Sequence, residues 1–174
     1  YLQSILLFPY LKSIAVFKCP GDRSTATVGG IRYPRVRSLS MNTWLGRYLP
    51  DGSLGPVLFP DDNAYRINVK LSDLTDPPPA RTFVFIDERE DSINDCGFYT
   101  GLGRRGSDAY WIDLPASYHN GAAGLSFADG HAETKRWLDS RTMPPLQPDQ
   151  PLVHPFSSPN NPDVAWLQDR ATGR

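Results

Sequence analysis

The 174-residue chain carries Lys+Arg 18 against Asp+Glu 19, with a formal net charge of -1, so no overall field draws it to nucleic acid or to an anionic membrane. Its length suits one domain with one sizeable core, while Gly 14 and Pro 17 imply many turns and long ordered loops. A loop-rich α+β domain over residues 1–174 is expected.

Residues 1–15 place Leu2, Ile5, Leu6, Leu7, Tyr10, Leu11 and Ile14 near helical spacing, divided by Pro9, and predict the end of a helix laid on a sheet. No apolar run reaches the ~18 residues that span a bilayer, and no signal-peptide pattern precedes the stretch. Because the chain opens at Tyr1 in the middle of an apolar pattern, an upstream segment is expected. Residues 16–141 read as sheet and loops. "AVFKCPGD" passes from a short strand into a turn, "GGIRYPRVRSLSMNTWLG" is extended, and "PDGSLGP" is a loop tip. "VKLSDLTDPPPA" predicts one helical turn ended by three prolines. "RTFVFIDE" is the strongest strand, its contiguous Phe83, Val84, Phe85 and Ile86 suiting a central position buried on both faces. Residues 142–174 form a proline-rich arm and a terminal helix, with Asn161 as N-cap, Pro162 in the first turn, Asp163 at the positive end of the dipole and Gly173 as a stop.

Chemistry-bearing residues are few. Cys19 and Cys96 lie in no zinc-ligand spacing, which leaves a disulfide and two free thiols both open. "GLGRRG" at 101–106 matches a dinucleotide fingerprint in letters only, since "SDAYWIDLPAS" after it has no helical pattern. "DEREDSIND" at 87–95 offers Asp87, Glu88, Asp91, Asn94 and Asp95 as oxygen donors for calcium, against a solvated acidic loop tied to Arg89. His119, His131 and His154 fit no metalloprotease or deaminase pattern, and no G-x-S-x-G elbow exists, so no catalytic residues and no enzyme are expected.

"SYHNGAAGLSFADGHAETKRW" at 117–137 reads as a β-hairpin whose type I′ turn is Asp129-Gly130. That turn pairs Ala128 with His131, Phe127 with Ala132 and Leu125 with Thr134. It sorts Leu125, Phe127 and Ala132 to one face and Ser126, His131, Glu133 and Lys135 to the other. Ten residues of strand span about 33 Å, so His119 and Asp129 stand at opposite ends. A partner for His119 is to be sought beside the 87–95 segment.

The spacing from His119 to Asp129-Gly130 resembles the H-x9-DG domain of bacterial prepilin-like proteins, relatives of type IV pilins and type II secretion pseudopilins. "FKCPGD", "RVRSLSMN", "DPPPARTFVFIDE", "PASYHNGAAGLSFADGHAETKRW" and "NPDVAWLQDRAT" resemble that family in order and cover most of the chain. The resemblance implies a pilin-like headpiece, the end of an N-terminal helix packed on an antiparallel sheet. It implies a prepilin anchored in the inner membrane by an N-terminal helix absent from this chain. It implies an extracytoplasmic place at the cell surface or in the periplasm, which favours a Cys19–Cys96 disulfide. Its partners would be copies of itself or other pilin-like subunits, and a structural calcium would sit in the 87–95 loop. The expected work is assembly into, or decoration of, a filament. The alternative is a cell-surface module that holds a glycan or peptide on Tyr99, Tyr110, Trp111 and the "GLGRRG" loop.

Overall fold

The computed structural model describes residues 8–46, 59–147 and 155–174. Its first element is one helical turn, α1 (Phe8–Leu11), followed by a 3-10 turn at Ile14–Phe17. Of the helix expected over residues 1–15, the described part is helical to Leu11 only, and its members Leu2, Ile5, Leu6 and Leu7 lie outside the described residues. Lys12 takes a positive φ of 56° and ends the helix. No residue of α1 is fully buried; Phe8 is half-buried, and Tyr10 is 85% exposed. "AVF" belongs to the 3-10 turn, not to a strand.

A two-stranded arm comes next, β1 (Thr25–Val28) and β2 (Ile31–Pro34), antiparallel with Ala26 opposite Tyr33 and Val28 opposite Ile31. The main sheet contains β3 (Leu39–Asn42), β4 (Phe83–Asp87), β5 (Gly97–Phe98), β7 (Ala122–Phe127) and β8 (Ala132–Arg136). Its order is β5-β3-β4-β7-β8. The sheet is mixed, because β5 runs parallel to β3 while the other pairs are antiparallel. The apolar run 83–86 does occupy the central strand, with Phe83 and Ile86 fully buried and Val84 and Phe85 half-buried around a register shift. A second small pairing joins β6 (Tyr110–Trp111) to β9 (Phe156–Ser157), so the proline arm supplies a short strand at two residues that are not proline.

The terminal helix, α2 (Pro162–Ala171), forms as its caps predict: Asn161 accepts hydrogen bonds from the Asp163 and Val164 amides, and Pro162 needs no donor there. Val164, Leu167 and Ala171 enter one core with Trp44, Phe83, Ile86, Phe98 and Leu125. Asn42 ties the layers together by donating to the Phe83 and Ala171 carbonyls.

The β7–β8 hairpin differs from expectation by one residue. Ser126 faces Ala132 and Leu125 faces Glu133, while the Phe127 amide donates to the His131 carbonyl. The loop is therefore Ala128-Asp129-Gly130, with positive φ at Gly130 (95°) but not at Asp129. This is the three-residue connection in which glycine alone takes the left-handed position. A one-residue slip moves a whole strand to the other face. Accordingly His131, Glu133 and Lys135 share the face of Ala123, Leu125 and Phe127, and Ala132 falls opposite Ser126. β8 carries no large apolar residue that would enforce the other register.

Candidate functional site

Cys19 sits in the Cys-Pro-Gly-Asp turn that follows the first 3-10 segment. Its amide donates to Ser38 Oγ at 2.8 Å, and its carbonyl accepts from the Asp22 amide at 3.0 Å. The turn curls back so that the Gly21 amide points at Cys19 Sγ, 3.3 Å away. A Cβ on Gly21 would come within 3.3 Å of Tyr118 Cβ, which is the reason for a glycine at this close approach.

Asp87 is the last residue of β4, and strand alternation sends its side chain to the face opposite Ile86 and Glu88. There its Oδ2 accepts from the Gly124 amide of β7 at 3.1 Å; a Cβ on Gly124 would press on that oxygen at the same distance.

His119 precedes β7 and is aimed by the two residues after it. Asn120 and Gly121 both take positive φ (55° and 77°), and the His119 amide donates to the Ala122 carbonyl at 3.2 Å. The backbone that type I′ turns require is thus found at Asn120-Gly121 rather than at Asp129-Gly130.

These three elements bring three side chains to one point. His119 Nε2 lies 3.1 Å from Cys19 Sγ and 3.6 Å from Asp87 Oδ2. All three donor atoms lie within 4.8 Å of one another, and among the described residues this is the one cluster of its kind close enough to share an ion. Cys19 and Asp87 are buried, whereas the His119 side chain is 41% exposed and opens the site to solvent. Burial pushes the Cys19 thiol up, against the opposing pull of the Gly21 and Asp22 amides. Burial likewise raises the Asp87 carboxyl, with the Gly124 amide and nearby His119 acting the other way. A nucleophile–base–acid relay needs the thiol and the carboxylate on different ring nitrogens. Here both approach Nε2, so Asp87 does not orient His119 as the acid of such a relay.

No family model, curated protein or solved structure matches this chain. Asp87, Glu88, Asp91, Asn94 and Asp95 do not converge as a calcium cage. Glu88 turns into the core and accepts from Ser40 Oγ. Asp91 is clasped by Arg89, whose guanidinium also donates to the Pro144 and Pro145 carbonyls, so this pair fastens the proline arm. Asn94 and Asp95 are exposed, with Asp95 Oδ1 accepting from the Gly97 amide. Asp87 and Glu88 part because successive residues of a strand point to opposite faces, and the strand ends before Asp91.

Cys19 and Cys96 are both free, the first buried under His119 and the second exposed beside β5, so the disulfide does not form. Tyr99, Tyr110 and Trp111 are 3%, 6% and 3% exposed and belong to the core, which removes them as a binding surface. The "GLGRRG" loop is tied down: buried Asp62 accepts from the Leu102 and Gly103 amides and from Tyr99 Oη. His131 pairs with Asp129 at the exposed hairpin tip, far along β7 from His119, and His154 lies outside the described residues. Composition and spacing offered Cys19 only as a disulfide partner or a free thiol, not as a neighbour of His119 and Asp87. The available signals were "CPG", a turn that curls an amide onto the sulfur, and "HNG", a turn that aims the histidine.

Proposed function

We propose that this chain is a structural subunit, the extracytoplasmic headpiece of a pilin-like protein that packs into or onto a filament. The observation that carries this reading is the apolar face of the β1–β2 arm. Cross-strand partners share a face, which puts Ala26, Val28, Ile31 and Tyr33 together. Val28 is 65% exposed, Ile31 57% and Tyr33 49%, with Val36 beside them at 61%. An isolated two-stranded ribbon gains little stability by itself, so an exposed apolar face on one is suited to covering by another subunit. The ordered motifs from "FKCPGD" to "NPDVAWLQDRAT", which resemble those of prepilin-like proteins, agree with this role. Among the described residues no helix is long and apolar enough to cross a membrane; in this reading the anchoring helix belongs to the chain upstream.

The test is immunogold imaging of the cell envelope, comparing the natural protein with a Val28→Lys, Ile31→Lys double variant. Label along fibres that is lost in the variant, with an unchanged melting temperature of the purified domain, is the expected result. Dispersed label without fibres for the natural protein would sink the reading.

A further inference from the structure

We propose that Cys19 Sγ, Asp87 Oδ2 and His119 Nε2 are the three protein ligands of a zinc-type divalent cation, with a fourth position open on the exposed side of His119. Tetrahedral zinc with bonds of ~2.0–2.3 Å sets its ligand atoms roughly 3.3–3.8 Å apart. The observed separations from Nε2, 3.1 and 3.6 Å, fall on either side of the lower end of that range, and the third pair lies within 4.8 Å.

Convergence on a single ring nitrogen is what separates a ligand set from a catalytic relay. Both partners of His119 approach Nε2, and the three donor atoms lie within 4.8 Å of one another. The donor types choose the ion: thiolate and imidazole favour zinc and its neighbours, whereas calcium and magnesium demand oxygen throughout. Charge agrees as well. One thiolate, one carboxylate and a neutral imidazole balance a divalent cation in a place where two of the three groups are buried. Supporting hydrogen bonds hold two ligands in place, from the Gly124 amide to Asp87 Oδ2 and from the Gly21 amide to Cys19 Sγ. On binding, the Cys19 S–H bond breaks, the sulfur electron pair goes to the metal, and one proton leaves to solvent.

The site does not depend on the filament reading, and its test involves no assembly. The 174-residue chain with Cys96→Ser, which leaves Cys19 as its sole thiol, is stripped with a chelator and titrated with cobalt(II) and then zinc(II). One cobalt per chain with thiolate-to-cobalt charge-transfer absorption, displaced by zinc, is expected. Zinc should also shield Cys19 from alkylation. Cys19→Ser and His119→Gln should each weaken zinc binding at least about tenfold, with His131→Gln unchanged. Cobalt spectra without a charge-transfer band, or alkylation of Cys19 at the same rate with and without zinc, overturn the proposal. Both readouts use the chain with its ligands intact, so they decide the matter even where a ligand variant fails to fold.

Discussion

The imidazole of His131 lies flat on the ring of Phe127, with centroids 4.3 Å apart and planes within 4°. This stack exists only in the register that puts both residues on one face of the β7–β8 hairpin, with Gly130 alone in the left-handed region. Gly130→Ala should therefore cost about 1–2 kcal/mol from backbone strain, since its added Cβ meets no other atom within 4 Å. Asp129→Ala should cost less, because Asp129 needs no special backbone and its pairing with His131 is at the surface. Urea melts of the two variants check the order; equal losses would indicate that both positions carry positive φ.

Asp163, fully buried in the first turn of α2, accepts from the Leu138 and Asp139 amides and from Thr142 Oγ1, all at 2.9 Å. Its carboxylate joins the helix start to the chain leaving β8, and Lys135 approaches it at 3.5 Å. Asp163→Ala orphans buried donors and should destabilise the fold by about 3 kcal/mol or more. A denaturant midpoint close to that of the natural chain would show that water replaces the carboxylate.

Burial pushes Asp113 up to about 7 from the ordinary 3.8, against the donation from the Tyr99 amide; its Oδ1 has no hydrogen-bond partner among the described residues. Between those two values the folded chain keeps a proton that the unfolded chain has released. Stability from this group therefore falls as pH rises through the window, and the loss is complete above about 7. Asp113→Asn cannot charge and still offers Tyr99 an acceptor. It should lessen the fall and gain about 1–2 kcal/mol over the natural chain at pH 8. Melts from pH 4 to pH 8 measure it; an unaltered slope would assign the pH dependence elsewhere.

The exposed Cys96 thiol should react rapidly with an alkylating reagent, and Cys19 slowly, being buried beneath His119. Mass spectrometry of a time course without reductant should show one fast and one slow addition. A chain that accepts none until reduced would contradict the free thiols.

Local chemistry alone was enough for several elements. Asn161-Pro162-Asp163 marks the start of α2, the contiguous 83–86 run marks the central strand, and "ADG" marks a hairpin, because caps, propensities and turns act within a few residues. Hairpin register lay beyond such signals: type I′ and three-residue loops both use glycine at position 130, and β8 lacks apolar residues to choose between them. The binding role imagined for Tyr99, Tyr110 and Trp111 failed for a related reason, since aromatic residues read alike in a groove and in a core.

Sequence by itself thus determined an α+β chain with a capped terminal helix, a central strand and a hairpin after His119. Tertiary structure alone decided that His119 meets Cys19, one hundred residues earlier, and Asp87 from the sheet's middle strand. Periodicity reports which face a residue takes on its own element, but the meeting of three elements depends on strand order and on two glycine contacts that let backbones close in.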